Sequence, residues 1–112
     1  MTLTYCVDID GTICDKPPHM HHDGDYLHSI PKMDRIEKIN QLYDEGNKIV
    51  YLTARGMGRH SNSRMLAHRD FYDLTYNQLK SWGCKFHELY MGKPAADYYI
   101  DDKGVNDNAF FI

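Results

Sequence analysis

Pro31 opens a helical pattern in which Met33, Ile36, Ile39, Leu42 and Tyr43 recur at spacings of three and four, and Gly46 stands where such a helix would stop. Two residues later comes Lys48 to Thr53 (KIVYLT), a β-branched, apolar run. A similar short run, Leu3 to Ile9, precedes the helix and is stopped by Gly11. A strand, a helix and a second strand in succession make a crossover, and that arrangement favours two parallel strands. A second helix is predicted from about Met65 or Asp70 to Trp82, with Phe71, Leu74, Tyr76, Leu79 and Trp82 near one face and Gly83 as its stop. Phe86 to Tyr90 reads as a third strand, and Tyr98-Tyr99-Ile100 as a fourth that ends at Asp101-Asp102. The order β-α-β-α-β-β predicts a single α/β domain over residues 1–112 with a mostly parallel sheet. Between Ile13 and Pro31 the chain holds three prolines, a glycine and four histidines and lacks any period, so residues 13–32 are expected to be a loop or flap.

Composition sets the remaining limits. A chain of 112 residues with 42% apolar and 26% charged residues is a globular domain, not a disordered one. Lys and Arg number 13 against 16 Asp and Glu, a net charge of −3 that argues against nucleic acid as the main partner. No apolar run approaches the ~18 residues of a membrane span, and Met1 to Cys6 has no basic, long-apolar leader, so a cytoplasmic location is expected. Cys6, Cys14 and Cys84 show no CxxC spacing, which argues against a disulfide framework or zinc knuckle. Cys6 is expected to be a small buried hydrophobe, and Cys14 to lie in the flap.

The acidic residues carry the chemistry. Asp8 and Asp10 end the first predicted strand, and Asp101 and Asp102 end the last. Parallel sheets bind ligands in the crevice beyond those strand ends. Carboxylates gathered there repel one another unless a cation joins them, and oxygen ligands favour Mg²⁺ where a substrate phosphate completes its shell. Thr53 ends the second strand, so its hydroxyl is expected in the same crevice, with Lys93 in the following loop. A hydroxyl and an ammonium beside a hard cation make an oxyanion site, and a carboxylate left free there can act as a nucleophile. Taken singly, each Asp pair is ordinary turn chemistry. His19, His21, His22 and His28 lack the partners of a zinc site and read as solvated flap residues. Arg55, Arg59 and Arg64 sit in a glycine-bearing loop, where Arg55 is nearest the crevice and is a candidate substrate contact.

With Asp8-Ile9-Asp10-Gly11-Thr12, then Thr53 after Ile49-Val50-Tyr51-Leu52, then Lys93, then Asp101-Asp102 after Tyr98-Tyr99-Ile100, the chain resembles the haloacid dehalogenase superfamily of phosphotransferases. The resemblance implies a Rossmann-like three-layer α/β/α sandwich. It implies Asp8 as the nucleophile that takes the phosphoryl group, and Asp10 as the acid that protonates the leaving oxygen and then the base that activates water. It further implies Mg²⁺ on Asp8, the Asp10 carbonyl and Asp101, with Asp102 behind them and with Thr53 and Lys93 on phosphoryl oxygens. Gly11 and Thr12 would lie against the substrate. Such roles suit phosphoryl transfer, which asks a protein chiefly for positioning and charge neutralisation. Ile36 to Gly56, Trp82-Gly83, Met91 to Pro94 and Ile100 to Lys103 are similar to small phosphatase-like proteins encoded with bacterial surface-polysaccharide genes, which implies a sugar phosphate or related small phosphorylated substrate.

About forty residues separate Asp10 from Thr53, and as many separate Thr53 from Lys93. Neither interval has room for a folded cap domain. An open sheet edge and the apolar tail Ala109 to Ile112 lead to the expectation of a homo-oligomer. Three other functions compete: transfer to an acceptor other than water, a non-catalytic scaffold, and a phospho-receiver domain. The receiver places its acidic pair after the first strand and its phosphoacceptor after the third, the reverse of the order here.

Overall fold

A computed structural model describes residues 2–16 and 26–112. Its elements are β1 (Thr4–Val7), β2 (Cys14–Asp15), a 3₁₀ turn (Tyr26–His28), β3 (Ile30–Pro31), α1 (Met33–Asp44), β4 (Lys48–Thr53), α2 (Arg64–Ser81), β5 (Glu88–Met91) and α3 (Asp107–Phe110). The main sheet has three strands in the order β1-β4-β5, and both pairings are parallel. Val7 lies opposite Tyr51, which lies opposite Leu89, and Thr53 opposite Met91. This register brings Asp8, Thr53 and the Gly92-Lys93 turn to the same end of the sheet.

The helices form where the apolar spacing places them. Ile36 and Ile39 of α1 are fully buried, against Val7, Ile9, Ile49, Tyr51 and Leu89 of the core. Gly46 ends α1 in the left-handed region (φ 97°), with its N–H on the Tyr43 carbonyl at 3.0 Å and the Asn47 N–H on Leu42 at 3.1 Å. At α2, the Gly83 and Cys84 N–H groups return to Lys80 and Leu79 in the same way. α2 starts at Arg64 because Ser63 caps it, its hydroxyl accepting from the Leu66 N–H at 3.4 Å. Among the described residues no helix is long and apolar enough to cross a membrane.

Four expectations need correction. Tyr98-Tyr99-Ile100 is not a strand: all three are exposed, Ile100 almost completely (98%). Local bonds hold this stretch instead. The Tyr99 hydroxyl donates to the Pro94 carbonyl at 2.5 Å and accepts from the Ala96 N–H at 3.1 Å. Among the described residues the sheet therefore has no fourth strand, and β1 has no strand paired on its outer edge.

The flap is not all loop, because Cys14–Asp15 pairs antiparallel with Ile30–Pro31. The readings of His19, His21 and His22 lie outside the described residues.

The C-terminal tail, expected to be free for self-association, is partly docked on its own chain. Asp107 of α3 bonds Arg35 of α1 at 2.7 Å, Phe110 and Phe111 pack on the core, and the Lys38 and Arg35 cations lie 4.6 and 4.7 Å from their ring centres. Two aromatic side chains offered above as a self-association surface are thereby occupied.

The expectation for Cys6 is reversed as well. Cys6 is exposed and Cys14 fully buried, since alternation along β1 turns Tyr5 and Val7 toward the core and Cys6 away from it.

Candidate functional site

The turn after β1 separates its two aspartates. Ile9 between them is fully buried, and its carbonyl accepts from the Thr12 and Ile13 N–H groups at 3.0 and 2.9 Å. With Ile9 pinned inward, Asp8 and Asp10 leave the strand end in different directions.

Asp8 faces a cleft of about 1100 Å³ that runs along the open edge of β1. The Thr12 hydroxyl donates to one of its oxygens at 3.1 Å, and the Lys93 ammonium stands 3.5 Å from the other. Burial pushes the Asp8 carboxyl above the usual carboxylate range, and Lys93, the Ile9 N–H and the Thr12 hydroxyl pull it partly back. Lys93 is placed by its own N–H, which donates to the Thr53 carbonyl at 3.1 Å. Its ammonium also lies 4.3 Å from the Tyr99 ring centre. Thr12, Asp101 and Lys103 line the same cleft as Asp8 and Lys93.

Asp10 turns inward to Arg55. The guanidinium donates from Nε to one carboxylate oxygen at 2.9 Å and from Nη2 to the other at 3.0 Å. Its Nη1 donates to the Gln78 side-chain carbonyl at 2.7 Å and to the Thr75 hydroxyl at 3.2 Å. The Tyr26 ring lies 4.7 Å from its central carbon. The Cys14 thiol donates to Asp10 at 3.5 Å, and burial pushes that thiol up to about 12.

Gly56, next in the chain, has φ 79°, and a Cβ there would fall 2.6 Å from the Phe71 ring. Its N–H donates to the Tyr26 hydroxyl at 3.3 Å.

The structure brings Asp8, Thr12 and Lys93 together and places Asp101 in their cleft. Three expected placements differ. Arg55 has no exposed side-chain surface, so Asp10 rather than a substrate is its partner. The Thr53 hydroxyl is buried and accepts from the Arg55 N–H at 3.1 Å instead of lining the cleft. Gly11, expected against the substrate, does not line the cleft, and its N–H donates to the Cys14 carbonyl at 2.9 Å.

Among the described residues no three acidic, His or Cys side chains stand close enough together to hold a metal ion. The expected set counts the main-chain carbonyl of Asp10 beside two carboxylates, those of Asp8 and Asp101, which line one cleft. Asp101 is exposed and accepts from the Lys103 N–H at 3.0 Å, a bond that draws its carboxyl below the usual range, and Asp102 beside it is exposed too.

Sequence reasoning missed Thr75, Gln78 and Tyr26 behind Arg55. One signal for Gln78 was available: an amide on the α2 face that also carries Phe71 and Leu79 needs a buried partner.

Fold and site together define an α/β protein with a parallel sheet and an acidic, lysine-bearing cleft at its strand ends. No protein-family profile matches the chain, and no curated protein matches it. Among solved structures, it is similar to the crystal structure of an MCSG target from Vibrio cholerae. The two share 26% sequence identity with a TM-score of 0.85, over 98% of this chain and 88% of the other.

Proposed function

We propose that the chain is a Mg²⁺-dependent phosphomonoester phosphatase that works through an aspartyl-phosphate. In this reading it has a haloacid-dehalogenase-like α/β/α core without a cap, and acts in the cytoplasm as a homo-oligomer on a sugar phosphate or related small phosphorylated metabolite. One observation carries the reading: at the end of β1 a carboxylate is flanked by an ammonium at 3.5 Å and a hydroxyl at 3.1 Å, in a cleft large enough for a small phosphate ester.

The cleft's donor chemistry fits Mg²⁺, since the carboxylates of Asp8 and Asp101 line it together and oxygen is what this ion takes. Asp8, the Asp10 carbonyl and Asp101 would hold it, with Asp102 behind them. When bound, it would neutralise charge on the phosphoryl oxygens and on Asp8.

The chain's own residues supply the remaining steps. An Asp8 oxygen forms a bond to phosphorus as the ester P–O bond breaks, and the leaving oxygen takes a proton from Asp10. Water then gives a proton to Asp10 and attacks phosphorus, releasing phosphate and restoring Asp8. Lys93 and the Thr12 hydroxyl would hold phosphoryl oxygens meanwhile. If an acceptor other than water enters in the second step, the same residues give a phosphotransferase.

The assay is phosphate release from p-nitrophenyl phosphate with and without Mg²⁺. Release that needs the ion and vanishes in Asp8→Asn is the expected result. A specific observation favours a second reading, a non-catalytic scaffold: both Asp10 oxygens are already taken by Arg55. Absence of turnover in the wild type at saturating Mg²⁺ would reject the phosphatase and leave that reading.

A further inference from the structure

Arg55 is the largest fully buried side chain among the described residues, and its contacts converge on Asp10. A guanidinium taken out of water must use its donors, and this one makes four hydrogen bonds: two to Asp10, from Nε and Nη2, and two from Nη1, to Gln78 and Thr75. The supports are themselves held. The Gln78 amide donates to the Tyr26 carbonyl at 2.8 Å, and the Tyr26 ring covers one face of the guanidinium. A buried ion pair of this kind is a poor device for stability, because well-packed apolar residues of equal volume do as well or better. What a bidentate fork adds is orientation, since it fixes the plane and direction of the carboxylate it grips.

We propose that Arg55, seated by Thr75, Gln78 and Tyr26, is a positioning residue that sets the direction from which the Asp10 carboxyl meets the leaving oxygen of the substrate. The inference rests on the phosphatase reading. In the geometry seen, both Asp10 oxygens accept from Arg55. Donation to an ester oxygen needs one of them to carry the proton and turn to the cleft while the other stays on the fork. Arg55 is the pivot for that turn, and Gln78 and Thr75 keep the pivot still.

Two substrates with different leaving groups separate this role from plain structural support. p-Nitrophenol leaves with little need of a proton, whereas a simple alkyl alcohol needs one. Arg55→Lys keeps the charge and loses the fork. Its kcat/KM, which reports formation of the aspartyl-phosphate and not the later attack of water, should fall roughly 10²-fold on an alkyl phosphate and only a few-fold on p-nitrophenyl phosphate. Asp10→Asn should show the same split, and the double variant should be no worse than Asp10→Asn alone. Gln78→Met leaves Arg55 and Asp10 in place and should give a smaller loss with the same preference. It carries the test if Arg55→Lys does not fold by circular dichroism.

Equal losses on the two esters, or effects of Asp10→Asn and Arg55→Lys that simply add, overturn the inference while leaving an active phosphatase. A wild type that releases phosphate from neither ester ends the phosphatase reading and the inference together.

Discussion

Asp10 and Asp101 are both acids of the candidate site, and the molecule treats them in opposite ways. Asp10 is gripped by a side chain from the end of β4, which is itself braced from α2 and from the 3₁₀ turn. Asp101 lies in an exposed stretch held mainly by local bonds, Tyr99 to Pro94 and Asp101 to Lys103, with one longer tie from the Ala95 N–H to the Asn62 side chain at 3.0 Å. A residue is placed firmly when its partners belong to regular elements that the core already fixes. When its partners are its own sequence neighbours, the loop can move as a unit at small cost. One half of the site is thus built into the fold, and the other is set down beside it.

The most forceful way to break this contrast is substitution of each half in turn. Arg55→Leu strands Asp10 without its cation and should cost about 3–5 kcal/mol in urea unfolding. Asp101→Ala, which removes an exposed local bond, should stay within about 0.5 kcal/mol. Similar losses for the two would erase the distinction. Asp8 stands between the halves and sharpens it. Its folded carboxyl lies above the ordinary range through burial, so its ionisation weakens the fold as pH rises through the folded value. Asp8→Asn should therefore raise Tm at neutral pH while abolishing turnover, and an unchanged or lower Tm would show that Lys93 outweighs the burial. The smallest effect concerns the loop leading from Arg55 to α2. Asp70 accepts from Arg69 at 2.8 Å and meets His60 at 2.7 Å, and its carboxyl is held down at about 2, chiefly by Arg69. A lowered carboxyl stabilises the fold above its ordinary value of 3.8 and loses that contribution as pH falls through about 2. In acid melts, Asp70→Asn should flatten this part of the pH dependence. A steep limb that survives the substitution would assign it to other acids.

The sequence makes the sheet and both long helices legible, because each rests on a repeated local signal. The apolar spacing from Met33 to Tyr43, the glycines at 46 and 83, and the unbroken run KIVYLT each point to one element and agree with their neighbours. Tyr98-Tyr99-Ile100 fails because three apolar residues are too short a signal to settle pairing, and a tyrosine hydroxyl has local acceptors to satisfy. The short helix α3 has no period to read. Its evidence is a cap at Asn106 and an ion pair to Arg35, 72 residues away. At the site, the clustering of Asp8 with Lys93 follows from strand order alone. The inward turn of Asp10 does not, because it depends on Arg55 being buried. An arginine in a glycine-bearing loop reads as exposed until the opposing helix face is seen to offer Thr75 and Gln78.

Gly56 narrows what the neighbourhood of Arg55 can accept. Any side chain there would meet two penalties at once, a left-handed backbone and a collision with Phe71. A substitution there would press on the loop that carries Arg55, so that flank of the arginine tolerates little change.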